Sequence, residues 1–171
     1  MKFTKIIFLI FIYLFNLNSY SVAEQNLKFV DIDLIVKNTK VGKKILKKLN
    51  DLDQQNIKKL NDFENELKIK ESEINSKKNI ISDDELKKEI NNLNMKFADY
   101  KKLKNDMVKK LSETKNNELK KLFKAINPII QNYMDKNSIE ILLNSKNVFI
   151  GNKNSDLTQI LIEEINNKLS G

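Results

Sequence analysis

The side chains able to do chemistry in this chain are lysines and carboxylates, and little else. Its 171 residues include no Cys, no His and no Trp, and all 31 basic residues are Lys. Without Cys there is no thiolate nucleophile, no thiolate ligand and no disulfide framework. Without His there is no side chain that titrates near neutral pH unperturbed, and the commonest metal ligand is missing. Phosphate-cradling loops need glycine, and three glycines supply neither GxGxxG nor GxxxxGK[ST]. Isolated carboxylates remain as acid or base candidates, but they lie along Lys-rich helical stretches and read as solvated faces. The sequence therefore points to a protein that is not an enzyme, carries no cofactor and no metal, and acts by binding. What it offers for binding is paired lysine, including Lys77-Lys78 and Lys87-Lys88, which would attract acidic clients or anionic headgroups. These pairs are equally consistent with ordinary solvated helix faces carrying i,i+4 Glu–Lys contacts.

The elements that carry these lysines follow from hydrophobic periodicity. At 40% apolar and 32% charged, the composition fits long solvated helices with a narrow buried seam. A first helix is expected from Thr39, its N-cap, to about Ser76, with a stripe through Leu46, Leu49, Asn56, Leu60, Phe63, Leu67 and Ile74. Ser82-Asp83-Asp84-Glu85 is a capping box that opens a second helix. Its stripe continues through Leu86, Ile90, Leu93, Phe97, Tyr100, Met107, Leu111, Leu122, Ile126, Ile129 and Tyr133, interrupted by Thr114 and Glu118. The short link at 77–81 forces the two into an antiparallel hairpin. The second helix outruns the first by about 15 residues at 1.5 Å each. A kink is expected near Lys124–Pro128, because proline removes one N–H bond and crowds the preceding turn. Ile57, Ile69, Met95 and Val108 fall off the stripe. They are either client-facing residues or part of a wider helix–helix seam.

The two ends read as a small body. Leu27–Asp33 alternates as a half-buried strand does, and Ile139–Leu143 with Val148–Gly151 reads as a strand hairpin around Asn144–Asn147. A terminal helix opens at Asp156-Leu157-Thr158, with Ile160, Leu161, Ile165 and Leu169 inward. Three short strands bury little by themselves, so the body is expected to be completed by other copies of the chain.

Residues 1–23 have the zones of an export signal: Lys2 and Lys5, then the apolar run Ile6–Phe15, then Ser21-Val22-Ala23. Cleavage between Ala23 and Glu24 would release the mature chain. The alternative is an uncleaved anchor extended through Leu17 and Tyr20, although ten apolar residues fall short of the ~20 that span a bilayer. The division expected is then 1–23 signal, 24–38 first body segment, 39–124 helical arm with its tip near 77–81, and 125–171 arm base, body strands and last helix. From residue 24 on, 29 Lys face 23 acids, a net of +6; residues 37–136 carry +9 of it and the two ends together −3.

This layout resembles the Skp/OmpH family of periplasmic chaperones over the whole mature chain. Phe29-Val30-Asp31-Ile32 followed by Thr39-Lys40-Val41-Gly42-Lys43 is similar to the family's first strand and the start of its first arm helix. Lys136–Leu143 resembles the end of the arm and the next strand, with Ser138 where a Gly-aromatic pair is usual. Asp156-Leu157-Thr158 with Ile162, Ile165 and Asn166 resembles the closing helix. The resemblance implies a homotrimer whose β-body carries three arms around a cavity, and an ATP-independent holdase for unfolded outer-membrane β-barrel proteins. It also implies contact between basic arm residues and anionic lipid or lipopolysaccharide. Nucleic acid is not an expected partner, given the export signal and the absence of Arg. The rival function is a trimeric coiled-coil spacer or scaffold of the envelope that binds no client.

Overall fold

The computed structural model describes residues 26–169. The order is β1 (Leu27–Val30), α1 (Ile32–Asn38), α2 (Lys40–Lys77), α3 (Asp83–Lys136), β2 (Ile141–Asn144), two 3-10 turns and α4 (Thr158–Lys168). The molecule is mostly α: a long antiparallel hairpin of α2 and α3 standing on a small body.

Local chemistry sets the joints. Ser82 Oγ accepts from the Glu85 N–H at 3.3 Å and Glu85 Oε2 accepts from the Ser82 N–H at 3.2 Å, so the capping box forms in full. Three acids in the first turn of α3 sit where the helix dipole favours negative charge. Thr39 serves two helices at once. Its hydroxyl donates to the Ile35 carbonyl at 2.8 Å, closing α1, and accepts from the Gly42 N–H at 3.2 Å, opening α2. The sharp corner between these helices brings backbones so close that a Cβ on Gly42 would lie 2.0 Å from the Val36 carbonyl oxygen.

The expected Leu27–Asp33 strand stops at Val30. Asp31 turns the chain instead: its carboxylate accepts from the Leu34 N–H at 3.0 Å and caps α1, a helix too short for periodicity to announce. The strand hairpin expected over 139–151 does not form. β2 lies parallel to β1, with Leu27 opposite Ile141 and Val30 opposite Asn144, and Val148–Gly151 is not a strand. Ser138, the sole non-glycine residue with positive φ (52°) among the described residues, reverses the chain after α3. The Ile139 N–H then bonds Met134 O at 3.0 Å, which aims the chain back at β1. The segment at Asp156–Leu157 takes up a further β1 position, with Leu157 N–H on Phe29 O at 2.9 Å.

The core sits where arm and body meet. Val30, Ile35, Ile45, Leu122, Ile126, Ile139, Leu157, Leu161, Ile162 and Ile165 form one buried cluster. In α4 the inward position belongs to Ile162, while Ile160, expected inside, is exposed. α3 runs as one helix through Pro128, whose ring faces solvent, so the missing N–H bond falls on the wet side.

Candidate binding surfaces of the arm

The arm is held by a seam that advances in steps of three and four. On α2 it runs through Ile45, Leu49, Leu52, Asn56, Leu60, Phe63, Leu67, Lys70 and Ile74. On α3 it runs through Leu86, Glu89, Leu93, Lys96, Tyr100, Leu103, Met107, Leu111, Thr114, Glu118 and Leu122. Leu46, Ile90 and Phe97, expected in the seam, are exposed. Each stands one residue past a seam position, which at 100° per residue turns it onto the flank. The seam positions beside them are Ile45, Glu89 and Lys96, so two of the three are charged. Leu52 and Leu103 fill seam positions that the apolar stripe did not include.

The charged seam residues and Tyr100 are paired across the hairpin. Lys70 lies 3.4 Å from Glu89, Lys96 pairs with Glu66, and the Tyr100 hydroxyl donates to Glu64 while its ring stacks on Phe63 at 5.8 Å. The hydrogen bond to Glu89 holds the Lys70 ammonium above its ordinary pKa, and the bond to Glu64 does the same for the Tyr100 phenol. Near the base, Glu118 is mostly covered, with 16% of its side chain exposed. It accepts from Lys48 at 2.9 Å and Lys121 at 3.5 Å. The Lys48 bond, above all, keeps its carboxyl below the usual range.

These contacts fix the level of one helix against the other. Glu64 faces Tyr100 and Glu66 faces Lys96, which sets Ile57 within about one turn of Val108, and Ile69 within about one turn of Met95. All four candidate client-facing residues are on the surface, at 43%, 63%, 61% and 67% exposure in that order. They do not form one wall. Ile57 and Val108 each follow a seam residue, whereas Ile69 and Met95 each precede one. In an antiparallel pair, residues that follow the seam on both helices share a face, and those that precede it share the opposite one.

The grooves obey this rule. A 470 Å³ groove in the outer arm is lined on its rims by Glu64, Lys68, Glu71, Phe97, Lys101 and Lys104, all one step past the seam. A 230 Å³ groove at the base is lined by Lys44, Lys48, Lys121 and Ala125, all one step before it, around Glu118. One face thus carries Leu46, Ile57, Ile90, Phe97 and Val108. The other carries Lys44, Lys48 and Lys121 at the base together with Ile69 and Met95. Strict three-four spacing, with charged residues admitted as seam members, is the signal that separates the faces.

Lys77 ends α2 and Lys78 caps it; Lys87 and Lys88 lie exposed in the first turns of α3. Ile80 protrudes in the turn between them. Ala23 and Glu24, the expected cleavage site, lie outside the described residues. In the body, the sheet face bearing Leu27, Ile141 and Leu143 is exposed. Phe149 and Ile150 beside it are almost fully exposed, at 104% and 85%.

The arm thus carries exposed apolar residues along one face and a cluster of lysines at its base, on a body with an uncovered sheet face. Among the described residues, no cluster of metal-type side chains occurs and no helix is long and apolar enough to cross a membrane. The profile of the family described as outer membrane protein (OmpH-like) matches residues 26–165, and the chain belongs to that family. Its fold is also that of a proposed outer membrane chaperone (OmpH-like) from Caulobacter crescentus CB15. That crystal structure superposes with a TM-score of 0.76 at 20% identity, covering 86% of this chain and 87% of the other. No curated protein sequence matches the chain.

Proposed function

We propose that this protein is a periplasmic, ATP-independent holdase that shields unfolded outer-membrane β-barrel proteins before assembly. The observation that carries this reading is the apolar face of the arm, where Ile57, Ile90, Phe97 and Val108 stand exposed among charged neighbours. An unfolded barrel strand presents alternating apolar residues along its whole length, which residues spaced in this way along the arm can meet one after another. Contacts of this kind are worth about 1 kcal/mol or less each, and many of them on one chain add up through effective concentration. No reacting group is required, and release follows when the client reaches the folded barrel as its lower-energy state. Export by the segment 1–23, with cleavage after Ala23, supplies the compartment.

The working unit in this reading is a homotrimer. Two strands cannot bury a sheet face, and Leu27, Ile141, Leu143, Phe149 and Ile150 leave apolar area that copies of the same body would cover. Three arms around one cavity would set their flanks toward one another, and anionic lipid or lipopolysaccharide is a further ligand for the lysine pairs. Dilution of a urea-unfolded outer-membrane barrel into buffer tests the reading. With trimer in excess, light scattering is expected to stay near baseline and a soluble complex to appear; unchanged aggregation refutes it and favours the scaffold role.

A further inference from the structure

The positive charge of the arm is not spread along it. Residues 53–108, the outer arm, hold 12 Lys and 12 Asp plus Glu, a net of zero. Residues 40–52 and 109–125, toward the base, hold 11 Lys and 3 acids, a net of +8. The tip pairs Lys77-Lys78 and Lys87-Lys88 lie close in sequence to Glu73, Asp83, Asp84, Glu85 and Glu89, whose charges offset them. At 0.1 M salt, screening acts over about 10 Å, so a balanced tip shows little potential to an approaching ligand. The basal segment 40–52 spans about 18 Å of helix, short enough for its lysines to act together.

The basal lysines stay accessible even where they are paired. Glu118 bonds Lys48 and Lys121 from the seam and offsets part of their charge, yet these two keep 61% and 75% of their side chains in solvent. Lys44 and Lys48 rim two adjoining grooves at once. One is the 230 Å³ groove over Glu118; the other, of 480 Å³, is also lined by Lys47, Asp51, Leu52 and Gln55. We infer that this basal collar is a docking surface for acidic stretches of a captured polypeptide. The inference rests on the reading of the arm as a surface for unfolded chains.

The chemistry favours carboxylates on a flexible chain. Lysine ammoniums are mobile point charges that impose no planar geometry, unlike the guanidinium forks that select phosphate. Two open grooves floored by Ile45, Leu52, Leu122 and Ala125 accept aliphatic stems beneath the ion pairs. A bilayer surface is a poorer occupant, since the collar lies at the foot of the arm, about 45 Å from the tip turn. The arm then divides its work along its length: apolar contacts on the neutral outer part, acidic segments at the foot.

The test compares two variants with the same loss of charge: K44Q/K47Q/K48Q/K121Q at the base and K77Q/K78Q/K87Q/K88Q at the tip. Binding of fluorescein-labelled polyglutamate is read by anisotropy at 50 and 200 mM salt. The basal variant is expected to weaken binding at least tenfold at low salt and to flatten its salt dependence, with the tip variant within twofold of wild type. Equal losses, or a larger loss at the tip, overturn the inference. So does a changed oligomer mass in the basal variant, which would make the collar a contact between copies, and so does a defect confined to anionic phospholipid vesicles. Should the basal variant fail to fold, carbodiimide coupling of polyglutamate to the wild-type protein decides: peptide mapping must place the adducts in 40–48 and 115–124 rather than 77–88. Suppression of barrel aggregation is measured in parallel. Its persistence alongside unchanged polyglutamate binding sinks the collar and leaves the holdase reading intact, whereas its absence in wild type sinks the holdase reading first.

Discussion

Replacing Gly42 with alanine sets two effects of opposite sign against each other. Gly42 lies in the first turn of α2, where alanine would ordinarily stabilise a helix by roughly 1 kcal/mol. Here the added Cβ would meet Val36 O at 2.0 Å and Thr39 Oγ1 at 2.8 Å. Close carbon–oxygen contacts lie near ~3.3 Å, so α1 must retreat by more than about 1 Å or the corner must open. Both neighbours are backbone or tightly bonded: Thr39 is fully buried and its hydroxyl already serves Ile35 O and Gly42 N–H. Moving α1 also loosens Ile35, which is fully buried in the core. Overpacking and a lost cap together cost on the order of 3–5 kcal/mol, leaving a net destabilisation of about 2–4 kcal/mol after the helix gain. Urea unfolding followed by circular dichroism at 222 nm should show this directly. With a slope of about 2 kcal/mol/M, the midpoint falls by roughly 1–2 M at fixed protein concentration. A midpoint equal to or above wild type would refute the steric account and leave helix propensity in charge.

Three further outcomes are expected. I57D/V108D places two carboxylates on the apolar face and should lower aggregation suppression several-fold with helix content unchanged; I69D/M95D, on the opposite face, should do less in the same scattering assay. Glu118→Gln removes a carboxylate whose pKa is depressed by Lys48, so the stability difference from wild type is present at pH 7 and persists down to the ordinary carboxylate value near 4.3. It closes as pH falls further through the lowered value, and urea midpoints at pH 7, 5 and 3 would follow it. F149D/I150D should shift the mass seen by sedimentation equilibrium toward the monomer, with arm helicity retained, because those side chains contribute nothing to the core of their own chain.

What could be read in the sequence was what is settled within a few residues. The Ser82–Glu85 box and the Thr39 cap are complete in their own tetrapeptides, and both form as expected. The seam was legible in period but displaced at Leu46, Ile90 and Phe97, because apolar identity outweighed spacing where Glu89 and Lys96 hold the seam positions. Tertiary pairing with Lys70 and Glu66 makes those charges tolerable, and no local pattern announces it. The strand hairpin failed for a related reason. Ile139–Leu143 and Val148–Gly151 are adjacent in sequence, yet β2 finds its partner in β1, which only the folded arm brings within reach. The four apolar arm candidates, read either as client-facing or as part of a wider seam, are exposed, and their division between two faces depends on the level of α2 against α3.

That same parallel pair sets a timetable for the chain as it is made. β1 waits for a partner that lies 114 positions downstream, from Leu27 to Ile141. Closing a loop of that length costs an unstructured chain about 4 kcal/mol, more than two four-residue strands return. The tip turn at 78–82 needs no such wait, since α2 and the start of α3 can zip from it as soon as they emerge. Once zipped, the arm delivers both strands to the same place and the closure penalty largely disappears. A nascent chain interrupted before Ile141 is accordingly an arm whose first strand has no partner.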